Sequence, residues 1–249
     1  MSERRHAVVV GASSGVGRAL ATELAARGYD LVISARDDED LAAVASDLAL
    51  RHGAAVTARA LDLCGPDDEL ERYVKACVAE VPAIDAVLVP AGAVADGDDG
   101  TASWPVTDTL VTTNFVAVTK LAGRFVEQLE TQGQGTLVLF SSIAVASPRR
   151  RNAAYGAAKA GLHYFGRALQ HRVAGSGVRV QVCVLGYVDT AMTAGQDLHF
   201  PVADPRRVAR AVVRGLGRDR RVAYVPRWWR PVVSVLRLLP WPLYRRLRF

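Results

Sequence analysis

The sequence predicts an α/β fold: one doubly wound parallel sheet of about seven strands, helices on both faces, and a C-terminal amphipathic tail. Three observations carry this. Short apolar, β-branched runs alternate with longer segments of helical spacing. The chain has 249 residues, 50% hydrophobic and 22% charged, enough for one large core without disulfide or metal support. No repeat, low-complexity tract or long linker divides it.

The strand-like runs are Ala7–Val10, Leu31–Ser34, Val56–Leu61, Ile84–Val89, Thr136–Phe140, Val178–Val184 and Val222–Val225. Between them, Arg18–Arg27, Leu41–Leu50, Leu70–Val81 and Thr107–Leu129 have helical spacing. Strand and helix in alternation require crossover connections, which are right-handed and make the strands parallel. Ligands of such a sheet sit at the carboxyl ends of its strands. Residues 1–226 are expected to form the domain, and 227–249 a basic amphipathic tail rather than a second domain.

Composition excludes several classes. Cys64, Cys77 and Cys183 are odd in number and lack C-x-x-C spacing, which excludes a disulfide scaffold and a zinc ribbon and suits a reducing compartment. The five histidines are scattered, so no metal site is expected. Gly11, Ser13 and Ser14 break the first apolar run too early for a signal peptide. No stretch reaches the roughly 20 apolar residues of a spanning helix. A soluble, cytoplasmic protein is expected. The net charge of +6 is uneven: from Pro205 onward there are thirteen Arg and one acid, Asp219, so the preceding 204 residues sum to −6. A mildly acidic body argues against nucleic acid, whereas one basic end suits a local anionic contact such as a membrane surface.

Directly after the first strand stands Gly11-Ala12-Ser13-Ser14-Gly15-Val16-Gly17, opening a helix. Gly11 permits the sharp turn, Gly15 the approach of a pyrophosphate to the backbone, and Gly17 close helix–strand packing. The helix N-terminus favours the anion. This is a dinucleotide site in a Rossmann-type setting. An NAD site usually places an acid at the tip of the second strand; this chain reads Ile33-Ser34-Ala35-Arg36. A guanidinium there suits a 2′-phosphate, with Ser34 adding a hydrogen bond, so NADP is favoured. Asp37 and Asp38 read as N-caps of the next helix. Asp62 reads either as an acceptor for the adenine amine or as a turn cap.

At the chemical end, Tyr155-Gly156-Ala157-Ala158-Lys159 places a phenol and an ammonium on one helix face. A phenol of pKa about 10 is too weak an acid near neutrality, and a fixed cation nearby is expected to lower it. Ser142, at the tip of the preceding strand, is placed to hold a carbonyl oxygen.

Together GASSGVG, Asp62, Asn114 in Thr-Thr-Asn-Phe, Ser141-Ser142, YGAAK and Gly186-Tyr187-Val188-Asp189-Thr190 resemble the short-chain dehydrogenase/reductase family over nearly the whole chain. The resemblance implies that Tyr155 is the general acid/base and that Ser142 orients the substrate carbonyl. Lys159 would hold the nicotinamide ribose and tune Tyr155, with Asn114 supporting it through a water. Val188 and Thr190 would contact the nicotinamide amide; Ser13, Ser14, Val16, Leu63, Ala91 and Gly92 would complete the cofactor contacts. The implied reaction is reduction of a small-molecule ketone by NADPH, in a homo-oligomer. Two departures stand out. Pro90 replaces the family's asparagine before Ala91-Gly92, and Val184-Leu185-Gly186 replaces Asn-Pro-Gly. A locally altered loop and a reshaped nicotinamide pocket are expected there.

Two features speak to substrate. Arg149, Arg150 and Arg151 stand between Ser142 and Tyr155 and suit a phosphate or carboxylate, or else a solvated loop or subunit contact. In the tail, Val232, Val235, Leu236 and Leu239 recur at helical spacing among Trp228, Trp229, Trp241 and Tyr244, and Arg245, Arg246 and Arg248 close the chain. This suits either an interfacial helix on an anionic bilayer or a segment packed over the domain or an interface. Pro240 and Pro242 confine any regular helix to two or three turns. Both features are similar to those of keto-sugar reductases acting on phosphorylated or prenyl-phosphate-linked keto-sugars such as decaprenylphosphoryl-2-keto-pentose. The alternatives are a soluble secondary-metabolite ketoreductase and, against the intact Ser142–Tyr155–Lys159 set, a non-catalytic NADP-binding regulator.

Overall fold

The computed structural model describes residues 4–149, 151–195, 198 and 200–246. Arg150 and Arg248 lie outside the described residues. Seven parallel strands form one sheet: β1 (Arg5–Val10), β2 (Tyr29–Ala35), β3 (Val56–Ala60), β4 (Ala86–Val89), β5 (Gly135–Ser142), β6 (Val178–Leu185) and β7 (Val222–Val225), in the order β3-β2-β1-β4-β5-β6-β7. The strand order reverses between β1 and β4, so their crossovers leave to opposite sides and a crevice opens at their carboxyl ends. In-register pairing brings the tips level: Val10 lies beside Ser34, and Ser142 beside Leu185.

Both faces of the sheet are covered, which is why its strands are nearly all apolar. Ala7 and Val9 of β1 point to one face, where α1 (Gly15–Ala26), α2 (Asp38–His52) and α7 (Pro205–Val213) contribute Leu20, Leu41 and Val212. Val8 and Val10 point to the other, onto α3 (Asp67–Glu80), α5 (Ala117–Gln132) and α6 (Ala153–Arg172), which contribute Val74, Phe125 and Leu162.

One expectation changes. The run Thr107–Leu129 is not one regular helix: α4 (Trp104–Val111) leads into a π-helical turn, Thr112–Val116, before α5. Asn114 occupies that turn and donates from Nδ2 to Leu110 O at 2.9 Å, so the register widens where a functional side chain needs room. Of the two arrangements left open for the tail, its first helix shows packing over the domain. In α8 (Trp229–Leu238), Trp229 and Val233 are each 1% exposed and pack with Ile143, Ala146 and Val184. The Trp229 indole lies so close to Gly186 that an added Cβ would sit 1.8 Å from its Nε1. Residues on both sides of position 226 thus share one packed cluster. Beyond it, α9 (Trp241–Tyr244) lies on the surface, with Trp241 and Leu243 exposed. No helix among the described residues is long and apolar enough to cross a membrane.

Candidate active site

A cleft of about 510 Å³ occupies the crevice at the strand tips. Gly11, Ser13, Ser14, Gly15, Val16 and Gly17 line its near end. Gly17 has to be glycine, because a Cβ there would lie 1.7 Å from Gly11 O. The start of α1 fits a diphosphate: Ser14 gives no side-chain cap and the first turn carries no acid, so its N–H groups are left to an outside anion. By contrast α2 is capped by Asp37, which accepts from Asp40 N at 3.0 Å, and carries Asp38, Glu39 and Asp40 in its first turn.

Arg36 lies exposed on the cleft wall one residue beyond β2. With Asp37 engaged in its cap, the cation rather than an acid stands at the β2 tip. Ser34 lines the cleft and is fully buried: its Oγ accepts from Tyr73 Oη at 2.9 Å, and its carbonyl accepts from Gly11 N and Ala12 N. Through its carbonyl it shapes the glycine turn. Asp62 and Leu63 line the cleft, and Asp62 Oδ1 caps its own turn by accepting from Cys64 N at 2.9 Å.

Past Pro90 the chain runs along the cleft. Ala91 N donates to Val10 O at 3.1 Å, and Ala91 and Gly92 both line the cleft. Asn114 does not line it. Fully buried, it clamps the loop by donating from Nδ2 to Ala93 O at 2.8 Å and accepting at Oδ1 from Ala93 N at 3.1 Å. Its Oδ1 and Lys159 Nζ flank Gly92, 2.8 and 3.2 Å from where a Cβ would stand. Val188 is buried beside Ala203, and Thr190 Oγ1 donates to Val188 O at 3.3 Å; both line the far wall.

Ser142 ends β5 and Tyr155 lies in the first turn of α6, so strand tip and helix start bring them to one wall with Lys159 a turn deeper. Ser142 Oγ accepts from Ala144 N at 3.1 Å. Lys159 is 4% exposed, and its Nζ donates to Phe140 O at 3.1 Å and lies 5.8 Å from the Tyr155 ring centroid. Burial pushes this ammonium down to about 8. The Tyr155 phenol is held above its ordinary 10, because burial outweighs the hydrogen bond from Ser142 and the charge of Arg149. This differs from the lowering by Lys159 that the helix spacing suggested. The cations and donors that ease the phenol here are Ser142 and Arg149, while Lys159 is turned to a strand carbonyl.

Arg149 Nη1 donates to Tyr187 Oη at 3.1 Å, and both residues line the chemical end of the cleft. Tyr187 packs edge-on to Trp229, 5.7 Å between centroids. Tyr187 lines the cleft and Trp229 is buried behind it; sequence reasoning assigned a role to neither. Tyr187 stood inside a recognised motif of which only Val188 and Thr190 were assigned, and Trp229 was read as tail. The exposed face of the tail drew attention, while the signal for burial was the pair Trp229 and Val233 at i and i+4. No group of His, Cys, Asp and Glu side chains among the described residues is placed to hold a metal.

An oxidoreductase site of the tyrosine–lysine–serine kind is the arrangement these residues define. Residues 5–199 match the short chain dehydrogenase family. The chain is 35% identical over 243 residues to an uncharacterized oxidoreductase of Mycobacterium tuberculosis, covering 96% of both chains. It is 35% identical over 248 residues to one of Streptomyces coelicolor, covering 98% of this chain and 96% of that protein. Its fold superposes with a TM-score of 0.82 on a short-chain dehydrogenase from Sphingobium yanoikuyae in complex with NADPH, at 28% identity, covering 98% of this chain and 96% of that one. The protein belongs to the short-chain dehydrogenase/reductase family.

Proposed function

We propose that the protein is an NADPH-dependent ketone reductase. The observation that carries this is the meeting of Ser142, Tyr155 and Lys159 on the wall of a dinucleotide-shaped cleft whose other end bears Arg36. Bound NADPH supplies the hydride. Ser142 Oγ holds the substrate carbonyl, and Tyr155 Oη gives its proton to the oxygen as negative charge develops there. Burial that keeps the phenol protonated suits the reductive direction. Lys159 holds the ribose hydroxyls, and Asn114 keeps the loop at Gly92 from collapsing onto it. Arg36 pairs with the 2′-phosphate.

The substrate we infer is a ketone bearing an anionic group, a keto-sugar phosphate or its prenyl-linked form. Arg149, beside Tyr155 and fixed on Tyr187, supports the anion. The outward Val235, Leu238, Trp241 and Leu243, set among Arg237, Arg245 and Arg246, support a lipid chain or a peripheral contact with an anionic membrane. The inner face of α8, packed on Gly186, favours a second reading in which the tail serves only to wall the pocket of a soluble ketoreductase. A panel of keto-sugar phosphates and matched neutral ketones, followed by loss of NADPH absorbance, separates these. A preference of about tenfold or more for the phosphates, lost in Arg149→Ala, is expected for one charged contact. Equal rates on neutral ketones would overturn the anionic substrate, and no NADPH consumption with any carbonyl would overturn the reductase.

A further inference from the structure

The segment between β4 and α4 contains Asp96-Gly97-Asp98-Asp99-Gly100, three acids whose composition fits a solvated turn. The middle one is buried: Asp98 is 4% exposed, while Asp96 and Asp99 face water. The turn is shaped to send it inward. Gly97 and Gly100 adopt left-handed backbone, φ +77° and +92°, and Asp99 closes the turn by accepting at Oδ1 from the amide and hydroxyl of Thr101.

Asp98 is satisfied by the N-terminus of the catalytic helix. Its Oδ1 accepts from Ala154 N at 2.7 Å, its Oδ2 from Tyr155 N at 2.9 Å, and its carbonyl from Ala153 N at 3.2 Å. Helices ordinarily take their cap from the residue just before them. Here Asn152 holds that place at φ +64° and gives no side-chain cap. The cap comes instead from a carboxylate 57 residues away in sequence, aligned with the helix dipole and holding the amide of Tyr155 itself. The same stretch of chain is held at its other end, where Asn114 grips Ala93.

Resting on the reading of Tyr155 as proton donor, we propose that Asp98 is a positioning residue for catalysis. Its two oxygens fix the first turn of α6, and with it the place of the phenol over the cleft. The demand is specific to a carboxylate: an asparagine can accept only one of the two amides and turns an NH2 toward the other.

The test is steady-state and isotope kinetics on Asp98→Asn and Asp98→Glu, with Asp96→Asn as the exposed control and Tyr155→Phe as the reference for lost chemistry. In Asp98→Asn, kcat is expected to fall about 10- to 100-fold, the cost of a misplacement near 1 Å. The Kd for NADPH stays within twofold, and the primary isotope effect from 4-deuterated NADPH grows as hydride transfer becomes limiting. Asp98→Glu, which returns the carboxylate, recovers part of the rate, and Asp96→Asn matches the unaltered protein. A kcat for Asp98→Asn within twofold of the unaltered protein would overturn the proposal, as would a loss equalled by weaker NADPH binding. If Asp98→Asn does not fold, Asp98→Ser, which keeps one acceptor, is read by the same criteria. An active Tyr155→Phe would defeat the underlying assignment instead, whatever the Asp98 variants do.

Discussion

A phenol and an ammonium one helical turn apart are usually read as a pair in which the cation acidifies the phenol. In this site burial, rather than the pairing, acts most strongly on both groups. Burial raises Tyr155 and lowers Lys159 to about 8, so both groups are pressed toward their neutral forms. A neutral phenol is the acid that the proposed reduction needs, and the bond to Phe140 O holds the lysine in place. The lysine has a consequence for stability. Between about pH 8 and its ordinary 10.5 the unfolded chain binds a proton that the folded protein does not, so stability rises with pH across that window. Below pH 8 the penalty of the buried charge is fully present. Lys159→Met is therefore expected to melt above the unaltered protein at pH 7, with the difference shrinking as pH rises from 8 to 10.5. Calorimetry over that range checks the sign, and a constant difference would mean Lys159 is not buried as a charge. Ser142, Tyr155 and Lys159 were legible because a strand tip and one turn of a helix, both readable from periodicity, carry them to the cleft wall. The bonds that Ser34 and Asp98 make were not, since their partners lie 39 and 57 residues away and no local pattern marks them.

The strands were legible because each is buried on both faces and so reads as an unbroken apolar run. All seven runs fall within or at the edge of an observed strand. The helical layer was read less well where side chains compete with the backbone. The spacing of Thr107–Leu129 is smoothly helical, yet the bonds of Asn114 to Leu110 and Ala93 impose a π-helical turn. The tail shows the opposite difficulty. Its aromatic and arginine content suits a membrane surface, while the contact that fixes α8 depends on Gly186, in a part of the chain far from it in sequence. Trp229 joins that helix to the pocket wall through Tyr187. Trp229→Ala is expected to destabilise the fold by about 3–5 kcal/mol, the usual range for removing a buried tryptophan. It should also loosen Arg149, which rests on Tyr187. Urea unfolding gives the first quantity, and a loss below about 1 kcal/mol would mean the tail is only draped on the domain.

In the whole molecule, the sheet order alone dictates where chemistry can occur. The reversal between β1 and β4 opens the cleft, the glycine turn and α1 fill one end, and the tips of β5 and β6 with α6 fill the other. The mildly acidic body and basic C-terminal end seen in the sequence correspond to one packed unit, with Arg237, Arg245 and Arg246 on its outer surface. Fold and cofactor cleft were readable from periodicity and spacing. The chemical end of the cleft was not, because Arg149 and Tyr187 meet there from positions 38 residues apart and Trp229 backs Tyr187 from a helix farther along the chain. The central claim is that the Tyr155 hydroxyl delivers the proton in NADPH-dependent carbonyl reduction. Transfer of deuterium from 4-deuterated NADPH to a ketone carbon, compared between the unaltered protein and Tyr155→Phe, tests it most directly. The account predicts a loss of about 10²- to 10⁴-fold in transfer rate with NADPH affinity retained. Transfer at an undiminished rate without that hydroxyl would contradict it.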